Sequence, residues 1–151
     1  MGYYISLIDS NAKLCAEDLD EAYRILCELN NDNTQKTGGT IPIDRKDGPH
    51  ENIWFSWMPW NYPDLLKSAA EIFEYLGFSM ICHENGDLLL TGYDDKMGAE
   101  DVFLDSLSHL WNSVDEVENP YFAWRGEEGD MWRTIYVGGK VINQTAKIEW
   151  G

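Results

Sequence analysis

The chain has 151 residues, with 27 Asp and Glu against 11 Lys and Arg, giving a formal charge of −16 and a pI near 4.3. That balance disfavours direct contact with nucleic acid or an anionic membrane and favours a basic protein partner. A content of 44% hydrophobic and 13% aromatic residues suits a single packed domain over 1–151, and no apolar run nears the ~18 residues a membrane span needs.

The opening MGYYISLIDS lacks the basic flank and long apolar stretch of a secretory leader, so an intracellular protein is expected. Its YYISLI, 3–8, reads as a strand. AEDLDEAYRILCELN, 16–30, reads as a helix with Leu19, Ala22, Tyr23, Leu26 and Leu29 on one face and Glu17, Asp18, Asp20 and Glu21 at the positive end of its dipole. Residues 31–51 have little periodicity and many turn formers, the mark of a long loop.

NIWFSWMPWNYPDLL, 52–66, sets five aromatic rings into nine positions and poses a choice between a stacking platform and a core. Read as a strand, IWFSWM places Trp54, Ser56 and Met58 on one face and Phe55 and Trp57 on the other, near the middle of a sheet, with the three rings in the core. Trp60 and Tyr62 follow in a proline-bounded turn, where exposure at a contact surface is expected. Pro63 then opens a helix to Leu76 with Leu65, Leu66, Ala69, Ile72, Phe73 and Leu76 on its stripe and Gly77 as its cap.

FSMICHENGDLLLTGY reads as a hairpin whose Asn85-Gly86 suits a type I′ turn. GAEDVFLDSLSHLWNSV reads as a third helix with Val102, Phe103, Leu107, Leu110 and Trp111 in phase. YFAWR, MWRTIYV and KVINQTAKIEW close the chain as a β-meander. ENGDL and EEGDM recur 43 residues apart, a faint sign of duplication. The order β-α-β-α-β-β-α-β-β-β predicts an α+β single domain, a mainly antiparallel sheet with about three helices on one face.

Chemistry has few footholds here. Cys15, Cys27 and Cys82 are far apart with no CxxC and read as buried thiols in a reducing cytoplasm. His50, His83 and His109 form no ligand motif, there is no glycine-rich phosphate loop, and neither cofactor nor metal is expected. WRGEEGDMWR allows an acid–base pair beside an arginine, but it reads rather as a solvated hairpin tip whose arginines pair across strands with the acids. YDDKMGAED lacks the order of a calcium loop and suits a helix start. From Asp94 to Asp130 there are eleven carboxylates against Lys96 and Arg125. The expected partner-binding residues are Asp94, Asp95, Glu100, Asp101, Asp105, Asp115, Glu116 and Glu118, an acidic face that imitates nucleic acid, together with Trp60 and Tyr62.

The pieces MGYY, AEDLDEAYRILCELN, WFSWM, NYP, EIFEYLGF, NGDLLLTGYDDKMGAEDVFL and WRGEEGDMWR, taken together, resemble a family of small acidic proteins from bacterial and phage genomes, with NSVDEVENP as a longer linker than that pattern has. That family has no established activity. The resemblance implies one compact domain in the cytoplasm of a bacterial host cell and transfers no catalytic residue. The resulting expectation is a non-enzymatic inhibitor of a basic, nucleic-acid-handling protein, of the anti-CRISPR kind. An immunity protein against a nuclease toxin, a small hydrolase or nucleotide-binding enzyme using the WRGEEGDMWR turn, and an accessory domain with merely solvating charge stand beside it.

Overall fold

The computed structural model describes residues 3–39, 49, 51–115 and 118–145. Every pairing in it is antiparallel, and the fold is α+β. Strand β1 (Tyr4–Ser10) and strand β2 (Ala12–Leu14) form one path interrupted at Asn11. On one side both pair with the long β6 (Leu88–Lys96), which on its other edge carries β5 (Phe78–Cys82). On the opposite side β2 pairs with the short β7 (Trp111–Ser113), and β1 with β8 (Tyr121–Gly126). From β8 the expected meander runs through β9 (Met131–Val137) to β10 (Lys140–Thr145) at the sheet's edge.

Helix α1 (Leu19–Glu28) is entered and left through single 3-10 turns. Its predicted face is the buried one: Ala22 and Leu26 are inaccessible, and Leu19, Tyr23 and Leu29 pack beside them. The helix expected from Pro63 is two. Helix α2 (Tyr62–Leu65) stops after one turn, and Ser68 accepts the Glu71 N–H at 3.1 Å to start α3 (Ala69–Leu76) afresh. A serine followed three residues on by glutamate is a strong start signal, and here it overrides the continuous stripe, leaving Leu65 exposed. Gly77 ends α3 in the left-handed conformation, as expected.

The third predicted helix is shorter than its apolar spacing. Helix α4 (Glu100–Ser106) ends where the Trp111 indole N–H donates to the Leu104 carbonyl at 2.9 Å, and Trp111 itself lies in β7, buried against Phe73 and Phe122. The helices bury one face of the sheet through Ile5, Leu7, Leu90, Tyr93, Phe122, Trp124 and Tyr136. On the other face Tyr4, Ile8, Ile81 and Ile142 remain exposed.

Both hairpins close in the same way. His83 N–H donates to Asp87 O and Gly86 N–H to His83 O, both at 2.9 Å; Gly126 N–H donates to Asp130 O at 2.8 Å and Gly129 N–H to Gly126 O at 2.9 Å. Each loop therefore holds three residues with a positive-φ glycine last, rather than the type I′ turn expected at Asn85-Gly86, because Asn85 keeps a negative φ. The shared turn geometry accounts for the ENGD and EEGD likeness. Strand β7, inserted after α4, has no counterpart after α3, so the element order does not repeat.

Candidate interaction surface

The tryptophan-rich stretch is not a central strand. Only Ile53–Trp54 is extended, as β4, and it pairs with β3 (Gly38–Gly39) in a separate two-stranded ribbon. Met58 N–H then donates to Phe55 O at 2.9 Å, turning the chain, and Trp57 takes φ +72°. Positive φ at the third position of such a turn is ordinarily a glycine's. The turn sorts the rings. Ile53, Phe55, Met58 and Tyr62 point inward, whereas Trp54, Trp57 and Trp60 are 37%, 48% and 37% exposed. Core placement was expected for Trp54 and Trp57 and holds only for Phe55, which packs edge-on to Phe103 at 5.1 Å. Tyr62 was expected at the surface. It is fully buried and its hydroxyl donates to the Leu26 carbonyl.

Beneath this loop is a buried polar knot. Lys36 Nζ donates to Asn30 O at 2.7 Å and Asn33 Oδ1 at 2.8 Å and lies 5.7 Å from the Phe55 ring centre, while Asn30 Nδ2 donates to Trp60 O at 2.9 Å. Burial pushes the Lys36 ammonium below the usual lysine range. The last of these bonds ties the Trp60 backbone to the knot.

The acidic residues divide between the two ends of β1. At its start, β6 brings Asp94 and Asp95 opposite Ser6 and Ile5, and the Ser6 hydroxyl donates to Asp94 at 3.2 Å. Met97 N–H donates to Tyr3 O at 2.6 Å. From the other side the β8–β9 turn arrives: Glu127 N–H donates to Tyr4 O at 3.0 Å, and the Tyr3 hydroxyl donates to Asp130. Tyr3 and Tyr4 thus join two acidic segments. Asp94, Asp95, Asp101, Glu127, Glu128 and Asp130 are exposed at this end, with Lys96 and Arg125 as neighbouring cations. Lys96 lies over the Tyr4 ring, and Arg125 makes no ion pair among the described residues. The expected cross-strand pairing of arginines with acids does not form: Arg133 donates to Gln144 and stacks on Tyr121.

The acidic end also carries an aromatic. The Trp57 indole rests on Gly98, leaving no room for a Cβ there, and Met97 beside it is 45% exposed. Asp115 and Glu118, in contrast, belong to the loop after β7, held to Asn11 by the Val114 N–H and by an Asn11 side-chain bond to Asn119 O. Asn11 is seven residues from Tyr4, about 23 Å at the strand rise of ~3.3 Å. The predicted single face from Asp94 to Glu118 is therefore two separate regions, and Glu116 lies outside the described residues.

Glu100 and Asp105 differ again. Glu100 is only 4% exposed and accepts the Gly98 N–H at 2.6 Å; Asp105 is half-buried and accepts the Tyr136 hydroxyl at 2.9 Å. Burial pushes both carboxyls above the usual carboxylate range. Neither belongs to an open charged face as expected. Both line a cavity under α4.

Elsewhere, Cys15, Glu17 and Asp18 bring one ligand atom each within 4.8 Å of one another. Burial and then the Asp87 charge push the Cys15 thiol up, towards the protonated form that does not ligate. The cysteines are not the buried thiols expected, since Cys82 is exposed and Cys15 and Cys27 are half-buried. His83 and His109 are both exposed, and His50 lies outside the described residues. No described helix is long and apolar enough to cross a membrane.

Comparison of the chain with family models, with curated proteins and with solved structures finds no match.

Proposed function

We propose that the protein is a non-enzymatic acidic binder that blocks a basic, nucleic-acid-handling protein, in the manner of a phage or mobile-element anti-defence protein such as an anti-CRISPR. The observation that carries this reading is the end of β1, where Tyr3 and Tyr4 join two segments whose Asp94, Asp95, Glu127, Glu128 and Asp130 are exposed on either face of the sheet's end, with the half-exposed Trp57 and Met97 alongside. Carboxylates around an aromatic anchor suit a surface rich in Arg and Lys: the charges raise the encounter rate and the rings supply desolvated contact. The same surface would serve an immunity protein, whose target is a nuclease toxin. A hydrolase built on the WRGEEGDMWR turn gains less, because Glu127 and Glu128 stand in solvent and Asp130 is engaged by Tyr3.

The test is capture of basic nucleic-acid-binding proteins from bacterial lysate by wild-type protein and by a variant with Asp94, Asp95, Glu127 and Glu128 all reversed to lysine. A specific partner should associate about tenfold or more slowly with the variant at low ionic strength, and duplex DNA should compete for it. An on-rate unchanged by the reversals and by salt, with DNA and protein bound to the partner together, would refute the reading.

A further inference from the structure

Between α4 and the helix-side face of β9 and β10 lies a cavity of about 120 Å³. Its floor is apolar, with Ile5, Leu104 and Trp124 almost wholly buried, and Trp132 forms a half-buried aromatic wall. Its polar groups are Glu100, Asp101 and Asp105 from α4 and Thr134, Tyr136 and Asn143 from the sheet. Asp101, Met97 and Asn143 are exposed, so the opening faces solvent on the side where Met97 adjoins the acidic end.

The lining is unbalanced. Three carboxylates enter the cavity and no Lys, Arg or His does. Glu100 is only 4% exposed, yet among the described residues it has no cationic partner, and the Gly98 N–H that it accepts is neutral. Asp105 likewise accepts only the neutral Tyr136 hydroxyl. A buried carboxylate without a counter-charge is costly, and such groups are ordinarily paired or bound to a cation. The volume decides what kind of cation fits. It equals about four water molecules at ~30 Å³ each and falls well below the ~300 Å³ at which pockets for nucleotides or drug-sized ligands begin. A metal ion is disfavoured because five of the eleven lining residues, Ile5, Met97, Leu104, Trp124 and Trp132, are apolar and leave the cavity short of the roughly six to eight oxygens a hard cation gathers around itself. A planar guanidinium on a short alkyl stem matches all of it: the fork donates to carboxylates, the face stacks on indole, and the stem lies on an apolar floor.

We propose that this cavity is a guanidinium-binding pocket, in which Glu100 and Asp105 receive the N–H donors and Trp132 stacks on the cation. The guanidinium comes either from a free small amine or from an arginine side chain of the basic partner; the second source rests on the proposed binder function, the first does not.

Agmatine, a guanidinium on a four-carbon stem, is the probe. It is titrated into the protein with ¹³C-labelled Glu and Asp carboxyls, against putrescine, a dication on the same four-carbon stem without the guanidinium, at equal concentration to hold ionic strength. A saturable shift of the Glu100 and Asp105 signals is expected with agmatine alone, weakened at least tenfold in Glu100→Gln and in Asp105→Asn, whose unfolding midpoints report that the fold is intact. Should Asp105→Asn fail to fold, the isosteric Glu100→Gln decides. Identical responses to the two cations, or an agmatine response untouched by Glu100→Gln, overturn the pocket. A short peptide with one arginine, compared with its citrulline counterpart, separates the sources: competition by the arginine peptide alone indicates a side chain, and agmatine binding without that competition indicates a free ligand. Failure here and failure of the surface reading are distinct. Reversing Glu127 and Glu128 leaves the cavity lining unchanged, so rim-dependent partner capture in a protein blind to agmatine removes the pocket and spares the surface.

Discussion

Trp57 holds φ +72° in a turn where glycine is the usual occupant, and its strain can be isolated from everything its ring does. A side chain bearing a Cβ in the left-handed region costs roughly 1–2 kcal/mol, and glycine escapes that cost. Trp57→Ala and Trp57→Gly both remove the indole from Gly98, so the loss of that contact cancels when the two variants are compared. What remains is the strain that glycine relieves, less the ~0.4–1 kcal/mol by which glycine's freedom favours the unfolded chain. Trp57→Gly should therefore be more stable than Trp57→Ala by about 0.5–1 kcal/mol. For a chain of this length that is about 1–4 °C in Tm. At Trp60, where φ is negative, the same pair of substitutions should reverse, with alanine above glycine. Urea unfolding followed by far-UV circular dichroism measures all four variants. Equal midpoints at position 57, or alanine above glycine there, would mean the turn relaxes and would refute the argument.

Phe55→Ala should cost about 3–5 kcal/mol, since the ring is inaccessible and contacts Phe103 and Tyr62, while Trp54→Ala should cost markedly less; equal losses in urea midpoint would return Trp54 to the core. The stability of two further variants should depend on pH with opposite signs. Glu100, raised by burial, holds its proton more tightly in the folded state, so its contribution is full below the unfolded value of about 4.3 and is lost as pH rises through the folded pKa. Glu100→Gln should thus gain on wild type between pH 4 and pH 7. Asp87 is lowered by the Ala16 N–H, then by Lys13 and Asn85, so its contribution is present above about 3.9 and is lost as pH falls through the folded pKa. Asp87→Asn should be destabilised at pH 7, and the deficit should shrink below pH 4. A Glu100→Gln difference that does not grow from pH 4 to pH 7, or an Asp87→Asn deficit that does not shrink below pH 4, would contradict the respective assignment.

Periodicity carried the fold where one element decides its own fate. The α1 face, the Gly77 cap and the meander's turns all follow from local spacing and turn chemistry, and the structure has each of them. It failed where two local signals compete. In PDLLKSAAEIFEYLG the continuous stripe argued for one helix, while Ser68 with Glu71 argued for a fresh start, and the capping interaction prevailed. In DVFLDSLSHLW the spacing suited a helix through Trp111, yet the indole satisfies the Leu104 carbonyl at the helix end and the chain departs into β7. IWFSWM failed for a different reason. Its apolarity is broken only at Ser56, so one residue was all that could test alternation, and a turn with inward Phe55 and Met58 and outward Trp57 obeys the same composition.

The charged site was legible in amount and not in place. Asp94 and Asp95 are neighbours in sequence, but successive strand residues point to opposite sides of a sheet, so even this pair does not share a face. Glu100 and Asp105, counted with them as open charge, turn inward because α4 must bury Phe103 and Leu104, and a helix that presents one apolar stripe to the sheet carries its flanking residues with it. The carboxylates that accompany Asp94, Asp95 and Asp101 come instead from Glu127, Glu128 and Asp130. What unites them is the register of β1, in which Ile5 stands opposite Asp95 on one side and opposite Gly126 on the other. An acidic stretch read along the chain says how strongly a basic partner is attracted. Where the proposed partner would land depends on the strand between the two acidic segments, which itself has no charge before Asp9.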